Sequence, residues 1–221
     1  YLYSSFEIPT LEFMGIMLPS FVLSVGLITI CCLIFVKKEP LTIVGEEVKL
    51  PVARTIIYMA LFALSILIVF RGIPYFVGLI VIPIVLLIMD RRALLRVDYP
   101  LLLTFVFFFI FSGNMARIEA VSSFFSRLLH IDTLVFSALS CQVISNVPSA
   151  ILLSQFTEDF RSLLLGVNIG GTGTLIASLA SLITFREYTS RNPGKTGYYI
   201  GMFSLFNFVF LVVLLFICSF I

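Results

Sequence analysis

The sequence predicts an all-α integral membrane protein whose transmembrane helices include one re-entrant helical hairpin and one unwound, discontinuous helix. Three observations lead there. Of the 221 residues, 60% are hydrophobic and 12% charged, about half the charged share of a soluble domain, and the mean hydropathy is +1.16. The charges lie between uncharged stretches close to the ~20 residues a helix needs to cross ~30 Å of hydrocarbon. Two of those stretches carry polar and helix-breaking residues in their middles: Ser145-Asn146-Val147-Pro148-Ser149, and Asn168-Ile169-Gly170-Gly171-Thr172-Gly173-Thr174. The net charge of +2 is dispersed rather than gathered in a patch. The lipid bilayer is therefore the expected partner, and nucleic acid is not.

The uncharged stretches span residues 13–36, 55–70, 72–89, 99–116, 133–157, 162–185 and 198–221. Five read as ordinary crossings. Ser112-Gly113-Asn114 allows a break in the fourth near its outer end, with Asn114 on an access route, but a helix cap is the favoured reading. Between the fourth and fifth, Ile118, Val121, Phe125 and Leu128 recur at helical spacing, with Arg117, Glu119, Ser123 and Arg127 among them. That pattern predicts an amphipathic helix lying in the interface, the alternative being a plain connector.

The fifth stretch is read as a hairpin, 133–157. Pro148 lacks an N–H and disfavours helical geometry at Val147, while Asn146 and two serines supply oxygens. A first arm over 133–144 is about 18 Å long at helical rise, enough to reach mid-membrane but not to cross. In the sixth, 162–185, Gly170, Gly171 and Gly173 let the backbone unwind and approach a ligand closely, and Asn168, Thr172 and Thr174 add oxygens. Irregular backbone at membrane depth survives only when buried in protein or facing a watery cavity. Half-helices ending at such breaks turn positive N-terminal dipoles toward anions, and their freed carbonyls coordinate cations. The competing explanations are an Asn-x-Pro kink and small-residue packing through Gly166 and Gly170. Two broken segments in succession favour a binding role.

Short cytoplasmic loops collect Lys and Arg. If Asn146 lies at a hairpin tip and the sixth segment crosses fully, one side of the membrane holds ten basic residues: Lys37, Lys38, Lys49, Arg54, Arg91, Arg92, Arg96, Arg186, Arg191 and Lys195. The other holds Arg71, Arg117, Arg127 and Arg161. A full crossing by the fifth segment would divide the same fourteen eight to six. The hairpin gives the stronger asymmetry and places the C-terminus outside.

Asp90, Asp98, Asp132, Glu158 and Asp159 all fall at segment ends, as caps do. His130 is the only histidine, a poor basis for a metal site or catalytic triad. Cys31, Cys32, Cys141 and Cys218 lie within apolar runs without metal-ligand spacing. Gly194-Lys195-Thr196 resembles the end of a phosphate loop, but Thr189 stands where its first glycine is required. Neither an enzyme nor a cofactor is expected.

The paired motifs carry a resemblance. Ser145 to Ser149 followed by Gly166 to Thr174 is similar to the second half of the ion transporter superfamily, which includes citrate and dicarboxylate carriers, arsenite permeases and sodium/proton antiporters. The resemblance runs from about Thr55 to Ile221 and follows that family's C-terminal repeat. It implies a multi-pass permease of a prokaryotic plasma membrane carrying a small anion or organic acid with sodium or protons. An arsenite or cation antiporter-type permease, or a passive channel, is the alternative.

By the same resemblance, Ser145, Asn146, Val147, Pro148 and Ser149 at the tip, with Asn168, Gly170, Gly171, Thr172, Gly173 and Thr174 opposite, hold the substrate. A coupling sodium falls at Ser145, Asn146 and Asn168. Val147 stands where dicarboxylate carriers usually have Thr, and Ser145 where antiporters often have Asp. Because the family carries two inverted repeats and the motif pair occurs once here, residues 1–54 are expected to be the last helix of a preceding half plus a cytoplasmic linker, and 55–221 the C-terminal repeat. The expected partner is an N-terminal half of the same carrier, or a second copy in a homodimer.

Overall fold

The computed structural model describes residues 1–36 and 51–220; residues 37–50 and 221, with Lys37, Lys38, Lys49 and most of the expected linker, lie outside the described residues. The helices are α1 (Leu2–Ser5), α2 (Thr10–Phe35), α3 (Val52–Val69), α4 (Tyr75–Met89), α5 (Arg91–Leu95), α6 (Tyr99–Met115), α7 (Glu119–Ile131), α8 (Thr133–Ile144), α9 (Asn146–Leu153), α10 (Phe160–Ile169), α11 (Leu179–Arg191) and α12 (Thr196–Cys218), with a 3-10 turn at Leu175–Ala177 before α11. This is an all-α multi-pass membrane fold. Among the described residues α2, α3 and α12 are long and apolar enough to cross a bilayer, and α6 and α7 form a pair bent by 96°.

The bend turns the amphipathic 119–131 stretch away from the axis of α6. One expectation needs correction. The stretch 72–89 is helical only from Tyr75, because Arg71 takes a positive φ of 59° and Pro74 sits at the N-cap. The alternative of a break at Ser112-Gly113-Asn114 is not realised. There α6 runs on to Met115, and the buried Ser112 hydroxyl donates to the Ile151 carbonyl at 2.8 Å.

The chain divides into two compact units, Tyr1–Val36 with Leu102–Ile221, and Lys37–Leu101. In the second, α3 packs on α4 and α4 on α5. The Tyr58 hydroxyl donates to Asp90 at 2.9 Å, and Asp90 also accepts the N–H groups of Arg92 and Ala93 that open α5. The Tyr58 bond, helped by those backbone donors, holds the Asp90 carboxyl below the usual carboxylate range. Asp98, Asp132 and Asp159 likewise accept N–H groups from Leu101, Val135 and Ser162. These carboxylates sit at helix starts, where the macrodipole favours negative charge.

The first unit is built around α10. Leu163, Leu164, Leu165, Val167 and Ile169 are all buried, so apolar surface covers nearly its whole circumference and requires neighbours on every side. Those neighbours are α8, α9, α2 and α12. The closest approach is to α8. A Cβ on Gly166 would stand 2.6 Å from the Leu134 carbonyl oxygen and 2.8 Å from Ser137 Cβ, and one on Gly170 would stand 2.7 Å from Ala138 Cα. Backbone meets backbone there, so neither neighbour can yield as a flexible side chain would.

Gly166→Ala or Gly170→Ala should therefore destabilise the protein by about 1–3 kcal/mol through overpacking. Gly26→Ala and Gly201→Ala, where nothing lies within 4 Å, should be neutral or stabilising by up to about 1 kcal/mol. Thermal melting of the four variants in one detergent checks the ordering.

Candidate functional site

The hairpin follows from one hydrogen bond. Ser140 and Ser149 are nine residues apart, which along one helix would separate them by ~13.5 Å, yet their hydroxyls are 2.6 Å apart. The chain has reversed between them, so α8 and α9 lie antiparallel. The reversal is at Ser145, whose φ of 73° and ψ of 156° lie in a region that L-residues rarely occupy. Three bonds fix it: its N–H donates to Cys141 O at 3.1 Å and its carbonyl accepts the Ser149 N–H at 3.1 Å, while its hydroxyl donates to Ala177 O at 3.3 Å.

Pro148, a breaker in the sequence, does not itself make the reversal. It lies within the first turn of α9, where a missing N–H leaves no intrahelical bond unmade. No side chain caps α9, so the N–H groups at its start face outward from the hairpin tip without an intrahelical partner.

Across from the tip, α10 ends at Ile169 and the chain runs unwound to the 3-10 turn at Leu175–Ala177. A residue that sequence reasoning passed over organises this break. Gln142 Nε2 donates to Gly170 O at 2.8 Å and Thr172 O at 3.0 Å. Its Oε1 accepts the Thr174 N–H at 2.9 Å, and its main-chain carbonyl accepts the Thr174 hydroxyl at 3.1 Å. The one available signal was that Gln142 is the sole amide side chain in α8.

The glycines of the break make close contacts within the protein. Gly170 faces α8. Gly173 has a φ of +108° and a Cβ there would overlap Gln142 Oε1, while a Cβ on Gly171 would lie 3.1 Å from Asn146 Nδ2. Each lacks a side chain because another part of the protein fills that space. The Thr172 hydroxyl turns back to Ile169 O at 2.7 Å.

A cavity of about 270 Å³ opens beside the tip, lined by Asn146, Val147, Ala150, Leu164, Val167 and Asn168, with Tyr1, Leu2, Tyr3 and Phe13 from the start of the chain. None of these side chains is formally charged. Of the expected binding residues, the structure thus brings Asn146, Val147 and Asn168 to one cavity. Ser145 and Pro148 are not among its lining, Ser149 is fully buried, and Gly170, Thr172, Gly173 and Thr174 belong to the Gln142 contacts. Asn168 donates its amide to Leu164 O at 2.7 Å, which leaves its side-chain oxygen free to turn toward the cavity. Among the three expected sodium ligands, Asn146 and Asn168 therefore share a cavity, whereas the Ser145 hydroxyl is engaged with Ala177.

A larger cavity, of about 650 Å³, lies at the other end of the hairpin. His130, Asp132 and Thr133 line it from one foot, and Phe156, Thr157, Glu158 and Asp159 from the other. Both feet therefore open on one space. Among the described residues, no group of three or more His, Cys, Asp or Glu side chains is placed to hold a metal.

No family model matches the chain, and no solved structure matches it. Over 186 residues it is 34% identical to a protein of Methanocaldococcus jannaschii described as an uncharacterized transporter, a match covering 84% of this chain and 51% of that protein. Over 117 residues it is 36% identical to the inner membrane protein YbiR of Escherichia coli, covering 52% of this chain and 32% of that protein. The chain thus spans about half the length, or less, of the curated relatives it matches. It is homologous to archaeal and bacterial membrane proteins, one of which bears a transporter's name.

Proposed function

We propose that this chain forms the solute-binding part of a secondary active transporter that carries a small anion or organic acid coupled to sodium or protons. The observation that carries the reading is the uncapped start of α9 at the hairpin tip, which opens through Asn146 and Val147 onto the cavity of about 270 Å³. A helix start presents unpaired N–H groups and the positive end of the macrodipole, a combination that favours anions. At about 270 Å³ the cavity lies just below the ~300–1,000 Å³ of pockets for drug-sized ligands, which suits a small solute.

Coupling follows from charge. An anion buried where no lining side chain is cationic is costly unless a partner offsets it. A co-transported cation held by the Asn146 and Asn168 side-chain oxygens supplies that partner. The relative named as a transporter supports the general class. The chain covers 51% of that protein, which leaves length for a preceding half; on this reading 55–221 is one of two repeats, with the C-terminus outside. The neutral lining favours one second reading, an antiporter-type permease for an uncharged solute such as arsenite.

In proteoliposomes containing the full-length carrier, uptake of the cognate anion should saturate and should require a sodium or proton gradient. Asn146→Ala and Asn168→Ala should each lower it at least tenfold while leaving the melting temperature within a few degrees, as a loss of binding groups at an open cavity implies. Flux that does not saturate and needs no gradient would point to a channel. Undiminished uptake by Asn146→Ala would remove the hairpin tip from the site.

A further inference from the structure

Freed carbonyls in a transmembrane break need partners, and in ion-coupled carriers a bound cation is one that can serve. Here a side chain already fills the role. The Gln142 amide nitrogen is 2.8 Å from Gly170 O, 3.0 Å from Thr172 O and 3.0 Å from Ala138 O. Three carbonyl oxygens converge on one amide NH2 group, whose hydrogens carry positive partial charge, much as they would around an alkali ion. Its two protons serve three acceptors, so one bond is shared.

The placement follows from helix geometry. Residues 138 and 142 are one turn apart on the same face of α8. Ala138 packs on Gly170, and Gln142 projects from the next turn into the segment where α10 has ended. Gly173 leaves room for the amide, and Thr174 closes on it from the other side with a main-chain N–H and a hydroxyl.

We propose that Gln142 is a positioning residue that takes the place of a cation at this break, holding residues 170–174 to the first arm of the hairpin with no sodium bound. The meaning of this latch for transport rests on the carrier reading above. On that reading the coupling ion binds at other oxygens, and the hairpin tip and the broken helix move as one body when solute arrives.

The test is hydrogen–deuterium exchange of the full chain in lipid nanodiscs, followed over peptides spanning 166–178. In wild type these amides should be protected in sodium-free choline chloride. Gln142→Met keeps the bulk but makes none of the bonds, and should speed exchange at Thr174 and its neighbours by roughly tenfold or more, the effect of one to two lost hydrogen bonds.

Gln142→Glu provides a pH readout that a space-filling role would not show. Its ionised carboxylate would face the Gly170 and Thr172 carbonyls with no proton to donate, so protection should fall when it ionises and return when it is protonated. Should the methionine variant fail to fold, the glutamate variant at acidic pH remains measurable. Wild-type protection that arises only on adding sodium, unchanged exchange in Gln142→Met, or a glutamate variant indifferent to pH would each overturn the proposal. Protection without sodium in a protein that transports no anion would sink the carrier reading and leave the latch intact.

Discussion

Within hydrocarbon no backbone N–H or C=O can be surrendered to water, and each one left unmet costs several kcal/mol. Two consecutive segments of this chain interrupt their helices, so the fold depends on finding partners for the groups those interruptions release. The partners come largely from side chains on neighbouring helices. Gln142 takes the carbonyls of Gly170 and Thr172, Ser145 that of Ala177, and Ser112 that of Ile151 near the end of α9. Hairpin and broken helix are thereby one hydrogen-bonded assembly.

That assembly explains why α8 and α10 approach so closely. Bonds of 2.8–3.0 Å from a side chain on one helix to the end of another require the backbones to be near, and Gly166 and Gly170 permit it. It also explains how Ser145 keeps a conformation worth about 1–3 kcal/mol of strain. The Ser140–Ser149 bond, together with the backbone bonds on either side of Ser145, leaves the turn no relaxed alternative. What the strain secures is an α9 start that no side chain covers, beside a cavity with neutral walls.

Much of this was legible in the residues themselves. Long uncharged stretches announced the membrane, helical spacing announced the amphipathic helix α7, and polar residues amid apolar runs announced both interruptions. Acidic residues at segment ends were readable as caps. The tip expected at Asn146 lies next to the observed reversal at Ser145, and the first arm ends at Ile144. Proline draws attention as a breaker, but it is equally at home in a first helical turn, and the backbone shows that Ser145, not Pro148, takes the strained conformation. The glycines were ambiguous for a deeper reason, since approach of a ligand and approach of another helix both require a missing Cβ. Gln142 stayed hidden because its partners in the break lie 28–32 residues away; no local pattern distinguishes a latch from a polar residue facing a cavity.

The central claim is that residues 133–153 enter the membrane and return to the same side. Its most direct test replaces the four native cysteines and introduces Ile131→Cys or Glu158→Cys, both at exposed positions on the two feet. Each variant is then labelled in intact cells and in inverted vesicles with a membrane-impermeant maleimide. The account predicts that both positions label from the same side, the one opposite Lys195. Labelling of the two positions from opposite sides would make 133–157 a full crossing and remove the hairpin on which the site is built.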